Sequence, residues 1–479
     1  MDVSLISKKI KTYFNLATPR GLFSATFFIL ILARLVYVLF PAKIAWDASV
    51  YIGMGKYLAT LGSVGLWEFF RPPILPILFS FGEIIHFPIA WAQILTFLAG
   101  AGSLYLIYKI GERIRPFAGV FGSIALGVST LFLSFSTVPM TEVFGVFFSL
   151  LALYLLSVKE YYFAAGLTAA LCFLTRFPYG LLAPIICLGF LYFNWQDKTL
   201  WKIFFKKFVY FSAGFLIISL LYLASNYIFY GDFFSPLVAG VEVISGSIWI
   251  YARHLGFYEN VLFLKNPLFI FSLITLYMTF FRGFFKEKKY MIFLLSIWFL
   301  IFFAYFFHEV HKEARYIVTI FPAISLLAGI SISYFYEKSK GYFFPVLLST
   351  FIVITFFSTT FFVLPRHISQ SFRSFYSELK KEQGKTVITS SPMVTAYSPV
   401  KIIPAYDRWE FFKNLYEQNR SKADFLLIDS CELHVCVPGS EELCDGYKKA
   451  VLDEVYVREN VIYDKTVGAC HHIIAEIKK

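Results

Sequence analysis

Apolar and polar positions do not alternate over most of this chain; long apolar runs are broken by short polar punctuation. Crossing a bilayer as a helix takes roughly 20 apolar residues. Runs near that length lie at 21–41, 89–110, 116–134, 141–158, 161–177, 178–193, 208–228, 262–281, 290–307, 316–335 and 342–363. The pattern predicts a polytopic α-helical membrane protein of about 11 transmembrane helices. The stretch "RPPILPILFSFGEIIHFP" is also apolar, but Pro72, Pro73 and Pro76 crowd its start and Glu83 and His86 interrupt it. It is expected to lie as a half-buried helix against the outer face.

Near residue 365 the period changes. Short strand-like runs such as "KTVITSS", "DFLLIDS" and "AVLDEVYV" alternate with polar helical stretches, the pattern of a small α/β domain. The expected organisation is a transmembrane domain at 1–364, with a first outer loop at 42–88, and an extracytoplasmic α/β cap at 365–479.

Composition sharpens this. With 58% hydrophobic and 15% charged residues an ordinary soluble protein is excluded. The net charge of +12 would suit nucleic acid, but 16 Lys and Arg and 16 Asp and Glu lie beyond Pro365 and cancel, so the whole excess belongs to the membrane part. It is expected in cytoplasmic loops, with no nucleic-acid partner. With the amino terminus inside, the inner loops hold about 17 Lys and Arg against about 7 outside, as the positive-inside rule requires. Counting 72–88 as a full span would spoil that asymmetry. The loop at 230–261, the segment "HEVHKEAR" and the cap are therefore expected outside. The basic amino terminus runs into an apolar stretch without a small-residue cleavage site, which reads as a retained helix. The expected location is the cell membrane, or the endoplasmic reticulum membrane in a eukaryote. Cys172 and Cys187 lie in apolar runs, as buried thiols. Cys431, Cys436, Cys444 and Cys470, in the outer cap, are expected to form two disulfides in one of three pairings. A metal site including His471 and His472 is the less favoured alternative, since their spacing fits no zinc pattern.

The candidate chemistry sits in the outer loops. Asp47 is the first acid after the first helix, flanked by Trp46 and Tyr51 and followed by the apolar "WEFFRPP", a setting that suits a general base. Glu142 is the single acid of the short loop "SFSTVPMTEVFG"; it faces Asp47 if the two helices are neighbours. Arg71 and Arg176 border the same outer face. In "FFHEVHKEARYIVTIFPAI", His308, Glu309, His311, Lys312, Glu313 and Arg315 put six ionisable groups in eight residues, and charge at a membrane boundary is expensive and usually functional. "HEVHK" is not a zinc-protease motif, because its fifth residue is Lys312. Lys312, Arg315 and Tyr316 are expected to line the first turn of the next helix, where anions are favoured, and Arg and Lys suit phosphate. The chain has no Walker loop, no dinucleotide fingerprint and no Asp-x-Asp.

Together, "WDASVYIGMGKYLATLG", "FRPPILPILFS", "TVPMTE", "LTRFPYGLLAP" and "HKEARYIVTIFPAISLLAG" resemble the GT-C glycosyltransferases. The likeness is strongest to the dolichyl-phosphate-mannose protein mannosyltransferase and lipid A aminoarabinose transferase branch, and covers about the first 335 residues. "HKEARY" is also similar to the His-Lys-Glu-x-Arg motif of the Alg-type mannosyltransferases. The resemblance implies a polyprenyl- or dolichyl-phosphate sugar donor, an extracytoplasmic site, inversion at the anomeric carbon, and a glycan, lipid or protein acceptor. By motif, Asp47 matches the acid after the first helix, Glu142 the acid of the second outer loop, and Lys312 and Arg315 the late basic motif. Asp47 would then be the general base, and Glu142, the second catalytic candidate, would orient the acceptor or a cation. Lys312 and Arg315, with His308, His311 and Glu313 beside them, would hold the donor phosphate, and Arg71, Arg176 and Tyr51 would bind phosphate or sugar. Relatives often carry two adjacent acids in the first loop, whereas Ala48 follows Asp47 here. No cofactor is required, and a divalent cation is left open. The rival class is a transporter or flippase of lipid-linked sugars, which would show paired repeats with broken helices at mid-membrane. Here the polar clusters lie on one side only.

Overall fold

The computed structural model describes residues 18–39, 44, 46–195, 201–246, 251–283, 289–339, 349, 352–353, 370–406, 408–433, 439, 441–468 and 470–478. Among these, four helices are long and apolar enough to cross a membrane: Pro88–Ile114, Phe205–Tyr230, Tyr290–His308 and Tyr316–Lys338. The pair Phe257–Leu264 and Pro267–Phe280, bent by 94°, makes a fifth if taken as one span. Of the other apolar runs, that at 21–41 forms the 21-residue helix Pro19–Leu39 and that at 141–158 the helix Thr141–Ser157. The run at 116–134 splits into Ala118–Gly127 and Thr130–Phe135, whereas the separate runs at 161–177 and 178–193 form Tyr162–Thr175 and, after a 3₁₀ turn at Phe177–Leu181, Leu182–Trp195. The last expected span, at 342–363, falls almost wholly outside the described residues. The stretch at 72–88 yields the 11-residue helix Ile74–Ile84, too short to span at 1.5 Å per residue.

Phe321–Lys338 is the centre of the bundle, buried along nearly all its length up to Ser333. Its small residues allow close approach, as is usual between membrane helices. A Cβ on Gly329 would stand 2.2 Å from the Ala118 carbonyl oxygen and 2.7 Å from the Gly122 nitrogen, so a larger residue would force two helices apart.

The C-terminal region is a five-stranded mixed sheet of order β2-β1-β3-β5-β4. The strands are β1 (Thr386–Thr389), β2 (Lys401–Pro404), β3 (Phe425–Asp429), β4 (Asn460–Val467) and β5 (Cys470–Glu476). β1 pairs in parallel with β2 and β3, and β5 runs antiparallel to β3 and β4. β3 is buried at every position, as a central strand covered on both faces should be. One face, with Val387 and Leu427, is continuous with the core of the helical bundle. The other, with Leu426 and Ile428, packs on Trp409, Phe412, Val451 and Val455. "AVLDEVYV", read above as strand-like, lies in the helix Glu441–Arg458. Val451 and Val455 recur at i and i+4 and are both buried, so the helical period wins over the apparent alternation. The fold class is the one expected: a polytopic helical membrane protein with a small C-terminal α/β domain.

Candidate active site

Asp47 lies in the first turn of the helix Trp46–Ala59, where the helix dipole favours an anion. Arg71, in the segment that follows this helix, reaches its Oδ1 at 2.8 Å. The guanidinium of Arg315 donates to Oδ2. Segments far apart in the chain thus meet at one carboxylate, which has 16% of its side-chain surface exposed. Arg71 is braced by Glu68 at 2.5 Å and lies over the Tyr51 ring, 5.3 Å from its centroid. Arg315 is braced by Glu313, its Nη2 donating to Oε1 at 2.9 Å. Glu142, almost fully buried, opens the helix Thr141–Ser157. It takes an ion pair from Arg176 at 3.2 Å and stands 4.0 Å from Arg315. Arg176 donates to the Arg315 carbonyl oxygen at 3.4 Å and stacks on Tyr316.

The late loop is tied in by His311, whose Nε2 lies 3.0 Å from Glu313 and 3.1 Å from the Tyr316 hydroxyl. Its ring stacks on Tyr251 with centroids 4.4 Å apart. Lys312 is buried; its Nζ donates to the Glu309 carbonyl oxygen, and no ion pair holds it among the described residues. Four acids, Asp47, Glu68, Glu142 and Glu313, therefore meet three arginines and one carboxylate-free lysine. Burial alone would push the Asp47 carboxyl up, but the charges of Arg315 and Arg71 outweigh it and hold it well below the usual carboxylate range. Glu313 is held down to about 2 against the same burial by His311 and Arg315.

The structure therefore gathers Asp47, Glu142, Arg71, Arg176, Tyr51, His311, Glu313 and Arg315 into one cluster, with Lys312 in the same late loop. His308, exposed at the end of its helix, forms no hydrogen bond or ion pair with it among the described residues. The expected helix N-terminus is absent as an anion site: the Tyr316 and Val318 amides donate to the Glu313 and Arg315 carbonyls within a 3₁₀ turn. Side chains, not backbone amides, supply the positive charge. Glu68 and Tyr251 escaped the sequence reading. Glu68 had a signal, three residues before Arg71, but Tyr251 had none beyond lying in a loop expected outside.

A divalent cation does not fit at Asp47, since both carboxylate oxygens are engaged by guanidinium groups. Ligand atoms of Asp429, Cys470 and His472 do lie within 4.8 Å of one another. Cys470, however, is bonded to Cys431 and offers no thiolate. Cys444 is also disulfide-bonded, while Cys436 lies outside the described residues. Cys172 and Cys187 are free thiols.

No known protein-family model matches the chain. It is 27% identical over 278 residues, 57% of its length, to an uncharacterized protein of Aquifex aeolicus (strain VF5). The chain spans 62% of that relative's length. Its fold is similar to that of ArnT from Cupriavidus metallidurans bound to undecaprenyl phosphate, with a TM-score of 0.61 and 11% identity, covering 95% of this chain and 97% of that one. The apo state of the same protein gives 0.59 over 95% of this chain and 98% of that one, again at 11% identity. The arabinofuranosyltransferase AftD from Mycobacteria gives 0.50 at 12% identity, over 94% of this chain and 40% of that one. At these identities the likeness establishes a shared fold.

Proposed function

We propose that this chain is an integral membrane glycosyltransferase. It moves a sugar, mannose or another hexose, from a polyprenyl- or dolichyl-phosphate donor to an acceptor hydroxyl on the extracytoplasmic side, with inversion. The observation that carries the reading is one carboxylate, Asp47, held between Arg71 and Arg315, with the buried Lys312 in the same late loop as Arg315. This is the pairing that displacement of a phosphate leaving group demands. The likeness to a protein crystallised with undecaprenyl phosphate supports a lipid phosphate as ligand. The amino terminus is assigned to the cytoplasm and the C-terminal domain to the other side on the charge of the loops.

The acceptor oxygen attacks the anomeric carbon while the bond from that carbon to the phosphate oxygen breaks, its electron pair leaving with the phosphate. The acceptor proton passes to Asp47, and the departing lipid phosphate gains one negative charge. Arg315 and Lys312 stabilise that charge in a site largely closed to water, where such contacts count for most. No acid is needed to protonate so weakly basic a leaving group. Clamped by two guanidinium groups, Asp47 is a poor base. Donor phosphate competes for Arg315, and its arrival releases the carboxylate for its task. Glu142 and Arg176 position Arg315 from behind.

Equilibrium binding of undecaprenyl phosphate to the purified protein tests this. Arg315→Gln and Lys312→Met are each expected to weaken it about tenfold or more, since a charge-assisted hydrogen bond contributes about 1.5–3 kcal/mol. Undiminished binding in both variants would remove the donor site from this cluster. A transporter of lipid-linked sugars would bind the lipid too, and is separated from an enzyme by turnover.

A further inference from the structure

One polar group beside this cluster has no part in the mechanism above. Tyr406 follows β2 and packs edge-on against Trp46, with ring centroids 4.9 Å apart; Trp46 immediately precedes Asp47. The Tyr406 hydroxyl is closed off from solvent and has no hydrogen-bond partner among the described residues, an arrangement that is disfavoured unless something supplies one. Glu68 and Arg71 act on its hydroxyl electrostatically; they are the pair whose Arg71 grips Asp47 at its other oxygen from Arg315. Other hydroxyls of the C-terminal domain are satisfied: Thr395 Oγ1 lies within hydrogen-bond reach of both the Ser49 and Pro392 carbonyl oxygens, and Ser398 Oγ donates to that of Tyr376.

The placement of Tyr406 is built in. Gly65 joins the edge strand of the sheet, its nitrogen donating to Val400 O at 2.8 Å and its oxygen accepting from Ile402 N at 3.0 Å. Gly65 has φ +86°, and a Cβ there would stand 2.1 Å from the Gly53 oxygen, so only glycine lets the first outer loop lie so close. Thr395 to Ser49 at 3.0 Å and Lys56 to Ser398 at 3.4 Å complete the seam.

We propose that the C-terminal domain completes the acceptor side of the site: Trp46 and Tyr406 wall a subsite for a neutral pyranose, and the Tyr406 hydroxyl hydrogen-bonds one of its hydroxyls beside Glu68 and Arg71. Aromatic rings suit the apolar C–H face of a sugar, and a carboxylate with a guanidinium suits its hydroxyls. Glu68 disfavours an anion here, whereas Arg315 and Lys312 favour one, so donor phosphate and acceptor sugar are assigned to opposite oxygens of Asp47. Burial raises the Tyr406 hydroxyl above the ordinary range for a phenol, which keeps it protonated as a donor. The Arg71 and Asp47 side chains are each 16% exposed, so a ligand can reach the pair and open it.

This rests on the glycosyltransferase reading, and the experiment separates the two. Methyl mannopyranoside and methyl glucopyranoside are titrated by saturation-transfer NMR against the full-length protein in nanodiscs, as wild type and Tyr406→Phe, with undecaprenyl phosphate binding and melting temperature measured on the same samples. The Phe ring keeps the contact with Trp46, so melting temperature and lipid-phosphate affinity should stay the same while glycoside affinity falls about fivefold to tenfold. If undecaprenyl phosphate binds but the glycosides bind both proteins equally, or neither, Tyr406 only packs and the inference is wrong while the transferase reading stands. If the wild type binds no undecaprenyl phosphate, that reading fails and takes the inference with it.

Discussion

Replacing Asp47 by Asn should produce a protein that binds its lipid ligand more tightly and yet does not turn over. In the resting structure both Asp47 oxygens engage guanidinium groups, and the substitution removes one negative charge from a cluster of four acids and four bases. Hydrogen bonds to charged groups contribute about 1.5–3 kcal/mol. Arg315 keeps Glu313 at 2.9 Å and is 23% exposed in its side chain, so only the lower end of that range is available to an incoming phosphate. About 1.5 kcal/mol corresponds to roughly tenfold tighter binding. Loss of a general base lowers turnover by a factor of about 10²–10⁴. The assay is equilibrium binding of undecaprenyl phosphate beside sugar transfer at saturating donor, with Asp47→Asn and wild type in parallel. Tenfold weaker binding in the variant would refute the competition argument, because it would mean that Asp47 helps to hold the phosphate. Turnover within threefold of wild type would remove Asp47 as the base.

Four further outcomes follow from the same geometry. Cys431 and Cys470 close a loop of 39 residues in sequence separation, so replacing both by Ser should cost the C-terminal domain about 4 kcal/mol by the chain-entropy estimate; an unchanged melting temperature would contradict this. Lys56 is buried, and burial pushes its ammonium down to about 8, so the unfolded chain binds more protons between about pH 8 and 10.5 and stability should rise through that window. The rise, at most about 3 kcal/mol, should vanish in Lys56→Met, as followed by denaturation at pH 7, 8, 9 and 10. Glu313, held down to about 2, has the opposite sign: its contribution is present above the ordinary carboxylate range and lost as pH falls towards 2, and Glu313→Gln should flatten the acid limb of the stability profile. Gly329→Leu, which would press on the Ala118 and Gly122 backbone, should lower expression of folded protein in a detergent-stability assay far more than Gly240→Leu, whose added Cβ would meet no atom closer than 3.6 Å.

Much of the site was legible because membrane sequences are quiet backgrounds. Asp47, Glu142 and the group from His308 to Arg315 stand out as charge where charge is costly, and the structure joins most of them. The geometry among them was not legible. Nothing in the spacing of Asp47, Arg71 and Arg315 says that three segments converge on one carboxylate, since long-range contacts leave no local pattern. The late loop misled in one respect: its polar residues suggested a helix start, whereas a 3₁₀ turn uses the amides internally. The apolar runs located the helices well, and the boundary between 177 and 178, but not the breaks at Ser129 and Pro267, because a run of apolar residues reads the same whether it is one span or two short helices. In the C-terminal domain the buried strand β3 was plain, while Val451 to Val457 fitted both periods and was taken for strand. Tyr406 left no mark at all, being one aromatic residue among 31 Tyr and 59 Phe.

The central claim is transfer itself. Purified protein in proteoliposomes is given radiolabelled undecaprenyl-phosphate hexose and an extract of membrane glycans, lipids and glycoproteins as acceptor, with the Asp47→Asn protein alongside. The account predicts label in the acceptor fraction with wild type and none above background with the variant. Label that crosses the bilayer still attached to its lipid, with none reaching any acceptor, would contradict it and make the protein a transporter.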